Sequence, residues 1–221
     1  MPTQGLLNYL YGRGSHSVIG VGWSESEAPS LTIPEKLVVE RELESHSASH
    51  SYFELGVGKG LLYQQFLQSG WTCHGVEPGA WGKKFPGVLG NMSDVRDSYT
   101  ADVIVALDVL EHVSDPVTTL RQLREHAGQN ARLYSAMPNR VSLRAKFGRE
   151  NWRMLRPLGH VNYWSRRSVT KAFTASGFIV EELRKTDLYQ SGRIRSLRTA
   201  VWAAVEHLGL GDQWMVIARP G

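Results

Sequence analysis

Glu54-Leu55-Gly56-Val57-Gly58-Lys59-Gly60, followed by Gly75-Val76-Glu77-Pro78, is the stretch whose reading decides the fold. Ser51 to Leu55 reads as a short strand, the glycines as a turn, and Leu61 to Gln68 as a helix with Leu62 and Phe66 on one face. Glycines at a strand end reach φ values closed to other residues and remove the Cβ atoms that would hold a ligand away from the main chain. Trp71 to Val76 reads as the next parallel strand after a helix of about three turns, which gives a right-handed βαβ unit. Glu77 then stands at a strand's carboxyl end, where a carboxylate can accept both hydroxyls of a ribose. The glycine pattern is G-x-G-x-G, not the dinucleotide fingerprint G-x-G-x-x-G: Leu61 occupies the place of the third glycine. Glu54, just upstream, would repel a pyrophosphate and favour a cation, and the phosphate cradle GxxxxGK[ST] is absent.

In these residues the chain resembles the class I S-adenosylmethionine-dependent methyltransferases, whose first motif reads much like Glu54 to Gly60 and whose second strand ends in an acidic residue like Glu77. The resemblance continues at Ala101 to Leu107, an apolar run suited to a strand buried on both faces. That run leads into Asp108-Val109-Leu110-Glu111-His112-Val113-Ser114-Asp115-Pro116, which looks like the family's fourth-strand motif. Asp115 and Pro116 suit the N-cap and first helical positions, with Val117, Leu120, Leu123 and Ala127 on one helical face. Leu133, Ser135 and Met137 alternate with polar neighbours as a fifth strand. Ser165 caps a further helix with Val169, Ala172 and Phe173 inside, Gly177 ends it, and Phe178 to Leu183 and Trp214 to Ala218 read as strands. The expected fold is α/β: a Rossmann-like doubly wound sheet, mostly parallel, with an antiparallel last strand.

A chain of 221 residues with 42% hydrophobic content can bury one sizeable core and leaves little room for a second full domain. We read residues 1–45 as an N-terminal cap and helix, the helix being Pro34 to Glu44, and residues 46–221 as the cofactor domain, with a substrate-side insertion at about 139–163. Tyr9, Tyr11, His16 and Trp23 could line the cap, and Trp152, Met154 and His160 the insertion, while Leu188 to Leu210 has the spacing of a long helix. A single cysteine, Cys73, excludes an internal disulfide; with no apolar leader in the first thirty residues and no run of membrane-spanning length, a cytoplasmic location is expected. The net charge of +4 is modest. Arg140, Arg144, Lys146, Arg149, Arg153, Arg156, Arg166 and Arg167 nevertheless gather around the His160 segment, and Arg193, Arg195 and Arg198 form a second group; both read as solvated faces or as a site for an anionic acceptor.

The resemblance implies S-adenosyl-L-methionine as cofactor. The backbone at Gly56, Gly58 and Gly60 would run beside its methionine and sugar, and Glu54 would sit near the cationic methionyl end. Glu77 would hold the ribose, Leu107 or Asp108 would meet the methionine amino group, and the adenine would lie near Pro78, Asn91 and Met92. Asn91 stands where family members often carry Asp, and its amide oxygen can accept the same hydrogen bond. His112 and His160 are the candidate bases for a hydroxyl acceptor. His46 and His50 have the spacing of a metal pair but lie in a Ser-rich segment with no third ligand near, so no metal is expected. The expected reaction is methyl transfer to a small-molecule hydroxyl. Alternatives are a noncatalytic or regulatory protein keeping the cofactor fold, an RNA methyltransferase, and, less favoured, an NAD-dependent oxidoreductase. DNA is not an expected partner: Asp108-Val109-Leu110-Glu111 departs from the [DN]-P-P-[YFW] motif of amino-base methylation, and no DNA-binding module is recognised.

Overall fold

A computed structural model describes residues 31–43, 51–80, 82–156, 159–186 and 211–221. The aromatic residues assigned to the cap, the His46 and His50 pair, the Leu188 to Leu210 helix and the Arg193, Arg195 and Arg198 group lie outside them.

The chain opens with α1 (Ile33–Val38), capped by Thr32 and Glu35 in reciprocal side-chain-to-backbone bonds and continued by a π-turn over Val39–Leu43. Then follow β1 (Ser51–Leu55), α2 (Leu61–Gln68), β2 (Thr72–Val76), β3 (Val88–Leu89), β4 (Ala101–Leu107) and α3 (Pro116–Glu125). After these come β5 (Ala127–Pro138), α4 (Leu143–Gly148), α5 (Arg166–Ala175), β6 (Phe178–Thr186) and β7 (Gln213–Pro220). The strands form one sheet in the order β3-β2-β1-β4-β5-β7-β6. β1 is parallel to β2 and β4, and β7 runs antiparallel to both its neighbours, β5 and β6.

Both faces of this sheet are covered, and the side-chain period of two divides the strands between them. Phe53, Ile104, Leu133 and Val216 pack with Leu120 and Leu123 of α3 and with Val169 and Phe173 of α5. Tyr52, Val103, Val105, Tyr134 and Ile217 pack on the other face with Val38 of α1 and with Leu62, Tyr63 and Phe66 of α2. Tyr52 stacks on Phe66 with ring centroids 4.1 Å apart, which locks β1 to α2 beside the glycine turn. The α1 segment is tied to the sheet at Glu42, which accepts from the Tyr134 hydroxyl and pairs with Arg132 at 3.4 Å.

Three elements differ from what the residue spacing predicts. Helix α2 has two turns because Gly70, at φ 81°, closes it while its N–H bonds Leu67 O at 3.1 Å. Helix α3 stops at Glu125, and Ala127 instead pairs with Ala101 at the start of β5. Strand β5 is buried on both faces from Leu133 to Pro138, since β4 and β7 flank it and helices cover both sides; Ser135 meets this by donating to Ala106 O at 2.9 Å.

Candidate functional site

The carboxyl ends of β1, β2, β3 and β4 lie side by side, and the turns that follow them build a cradle. Gly56 leaves β1 at φ 83°, with its N–H on Val76 O at 2.8 Å. Gly58, at φ 52°, donates to Glu77 Oε2 at 2.8 Å, while Glu77 Oε1 accepts from Gly79 N at 2.7 Å. Two backbone donors thus fix the carboxylate at the end of β2. Each oxygen keeps acceptor capacity for a further partner. Two of the glycines are also required by protein neighbours: a Cβ at Gly56 would lie 2.5 Å from Val109 Cγ2, and one at Gly60 would lie 2.3 Å from the Phe85 ring. At Gly58 nothing comes nearer than 3.9 Å, so its positive φ and not crowding selects glycine there.

Glu54 points to the sheet face shared with α2, accepting from the Tyr52 hydroxyl at 2.8 Å. Burial pushes its carboxyl well above the usual range, against the opposing Tyr52 bond. Leu107 is half-buried against the same core. Next to it Asp108 sits at φ 53°, a left-handed conformation unusual for a side chain with a Cβ, with its N–H on Ala136 O at 3.0 Å and Oδ1 accepting from Gln213 Nε2. Its carboxyl is pushed up to about 7 by burial, with the Gln213 bond opposing. Beyond β2 and β3, Pro78 is exposed, Met92 packs at the edge of the core, and Asn91 is exposed with its amide donating to Asp94 Oδ2 at 3.4 Å.

The Asp108–Val113 turn joins this cradle to the segment 139–163. Val161 and Asn162 donate through their backbone N–H groups to Glu111 O at 2.7 and 3.1 Å, and the Asn162 side chain donates to Leu110 O and Val113 O at 3.1 and 2.6 Å. This lacing brings His112 and His160 together with ring centroids 4.7 Å apart. His112 Nδ1 bonds Gly159 O at 2.9 Å and His160 Nδ1 bonds Met154 O at 2.8 Å. In a neutral ring that hydrogen bond puts the proton on Nδ1 and the lone pair on Nε2. Glu111 is 1% exposed, its carboxyl raised well above the usual range by burial and then by Asp108. Behind the insertion, fully buried Asp212 accepts from Ser142 Oγ and Trp152 Nε1, both at 2.7 Å, and from Arg153 Nε at 3.2 Å. A groove lined by Arg166, Arg167 and Lys171 shares no residue with the cradle.

Burial, and secondarily His112, holds His160 at about 3, below its ordinary 6.5. The unfolded chain therefore takes up this proton first as pH falls, so stability is lost between about 6.5 and about 3. His160→Gln is expected to flatten that acid limb when Tm is followed by circular dichroism against pH. Asp108 acts in the opposite sense, costing stability as pH rises from 3.8 to about 7.

Glu111, Gln213, Asn162 and Phe85 touch the candidate site residues without having been singled out from the sequence. Glu111 carried a signal, an acid in an otherwise apolar turn beside a histidine. Gln213 and Phe85 come from distant segments with no local mark.

An open, doubly wound sheet with a glycine turn at β1 and a carboxylate at the end of β2 defines a nucleoside-binding α/β protein. A family model described as a methyltransferase domain matches residues 34–183, and the chain belongs to that family, as a class I S-adenosylmethionine-dependent methyltransferase. Solved structures agree on the fold. A Haloferax volcanii complex of the Trm112 methyltransferase activator with a methyltransferase has a chain 14% identical with TM-score 0.59, over 84% of this chain and 92% of that one. Magnesium protoporphyrin IX methyltransferase from Synechocystis PCC 6803, with bound SAH, is 14% identical with TM-score 0.59, over 85% and 82%. An S-adenosylmethionine-dependent methyltransferase from Clostridium acetobutylicum is 8% identical with TM-score 0.57, over 85% and 90%. No curated protein sequence matches the chain. S-adenosylmethionine is the cofactor of this enzyme class. The Cβ-free turn and the doubly anchored carboxylate suit its sugar. Among the described residues no helix is long and apolar enough to cross a membrane.

Proposed function

We propose that this enzyme transfers a methyl group to a hydroxyl oxygen of a small-molecule acceptor. The observation that carries the reading is the contact between the two halves of the site: Val109, in the turn leading to Glu111 and His112, sits against Gly56 of the glycine turn. An acceptor held by the histidine pair is then beside the cofactor's reactive end.

In this reading Gly56, Gly58 and Gly60 line the cofactor, Glu77 accepts from its ribose hydroxyls, and Leu107 and Asp108 face its methionine amino group. Glu54 supports the turn from beneath through Tyr52, and Pro78, Asn91 and Met92 flank the adenine. Bound S-adenosylmethionine supplies a methyl group on a sulfonium. The residues supply alignment, which accounts for several kcal/mol of the barrier when reacting atoms are held near 3 Å. His112 and His160 are the catalytic pair: half-buried His112 is the proton acceptor, and His160, buried and held at about 3, is too weak a base for that part and stands behind it as its ring neighbour. The insertion, about residues 139–163, walls the acceptor with Trp152 and Met154, and its arginines suit an acceptor bearing a phosphate or carboxylate.

Calorimetry with S-adenosylmethionine, S-adenosylhomocysteine and NAD tests the cofactor half: the first two are expected to bind at one site and NAD to give no heat. A screen of hydroxyl, amine and thiol acceptors tests the rest. His112→Ala is expected to lower kcat on a hydroxyl acceptor by about 10²-fold while leaving S-adenosylmethionine affinity within twofold, roughly the share of a positioned proton acceptor. Methylation of amines alone would sink the hydroxyl assignment, and methylation of RNA the small-molecule one.

A further inference from the structure

Glu111, His112 and His160 form a cluster that direct proton transfer does not fully use. One ligand atom from each lies within 4.8 Å of the others. Glu111 is 1% exposed, yet its Oε2 has no hydrogen-bond partner among the described residues. An unpartnered buried carboxylate oxygen is costly, and it calls for a proton or a cation. His160 is 5% exposed, and it and His112 each commit Nδ1 to a backbone carbonyl. That is the arrangement by which metal-binding histidines are oriented, since it fixes the tautomer and presents Nε2 as the ligand.

We propose that Glu111, His112 and His160 bind a divalent first-row transition-metal ion. Two imidazoles and one carboxylate suit zinc, iron or cobalt better than magnesium, and three protein ligands leave coordination positions open. Tetrahedral ligand bonds of about 2.1 Å put donor atoms about 3.4 Å apart, so metal binding draws the three groups together by up to about 1.4 Å. Half-buried His112 forms the solvent side of the cluster, and Val109 ties the same turn to Gly56. Resting on the methyl-transfer reading, the role follows. With the ion bound, His112 and His160 act by holding it and no longer as proton acceptors: the ion's open positions take the acceptor's oxygens, and the hydroxyl loses its proton to water more readily.

The test is made on the full chain, stripped with chelator. Calorimetry with Zn²⁺ is expected to show one equivalent, and Co²⁺ to give visible d–d absorption. Glu111→Gln and His160→Gln should weaken Zn²⁺ binding at least tenfold, since losing even an outer-shell partner of a metal ligand costs about 10–100-fold. Should a buried variant fail to fold, His112→Gln at the half-buried position replaces it. Affinity for S-adenosylmethionine reports folding in every variant. Absence of a stoichiometric Zn²⁺ site, or affinity unchanged in all three variants, overturns the proposal. Because metal binding is read without turnover, a chain that binds Zn²⁺ but methylates no hydroxyl would refute the acceptor assignment and leave the metal site standing.

Discussion

Glu77→Ala is expected to weaken S-adenosylmethionine binding by at least about a hundredfold. Two losses combine. The ribose would lose an ionised acceptor, and a hydrogen bond to a charged group contributes about 1.5–3 kcal/mol. Gly58 N and Gly79 N would also lose the oxygens they now reach at 2.8 and 2.7 Å, freeing the turn to move. Glu77→Gln separates the two effects. It keeps one acceptor but sets an NH₂ group against a backbone donor, so it should bind more weakly than wild type and more tightly than alanine. Calorimetry on the three proteins, with thermal unfolding alongside, reads both. If Glu77→Ala bound the cofactor within threefold of wild type, the carboxylate would be serving the turn alone.

Gly60→Ala is expected to be among the most damaging single methyl groups near the site. The residue caps α2 at φ 72°, where a Cβ costs about 1–2 kcal/mol, and the added carbon would fall 2.3 Å from Phe85 Cζ. Forcing a methyl into packed space adds about 1–3 kcal/mol, so a total near 3 kcal/mol is expected from thermal or denaturant unfolding. The double variant with Phe85→Ala tests the cause. Removing the ring should relieve the crowding but leave the backbone strain, so Gly60→Ala should cost clearly less in that background than in the wild type. An equal cost in both would mean that the ring moves aside freely. Gly58→Ala, with strain but no near neighbour, should be the milder substitution for stability.

Much of this fold is written in short-range pattern. The strand at Ser51–Leu55, the apolar run of Ala101–Leu107 and the capped helices after Asp115 and Ser165 form where spacing and cap chemistry put them. Less was legible where burial overrides alternation, as in β5, whose central place in the sheet buries both faces. Ala127 fits the apolar face of the preceding helix equally well, and its pairing with Ala101 decides otherwise. Glu54 is a similar case. Its place before the glycines says that it is near the cofactor turn, while the pleat of β1 points its side chain to the Tyr52 face.

Local sequence thus determined the glycine turn, the carboxylate at the end of β2 and the main strands and capped helices, because these depend on φ preferences, side-chain periodicity and helix caps within a few residues. It did not mark the short strand Val88–Leu89 or the helix Leu143–Gly148. Tertiary structure alone decided which groups meet. Phe85 against Gly60, Gln213 on Asp108, and His160 beside His112 and Glu111 are contacts between segments far apart in the chain. They arise only when the sheet aligns its strand ends and the insertion folds back onto the Asp108–Val113 turn. No spacing along the chain encodes such distances.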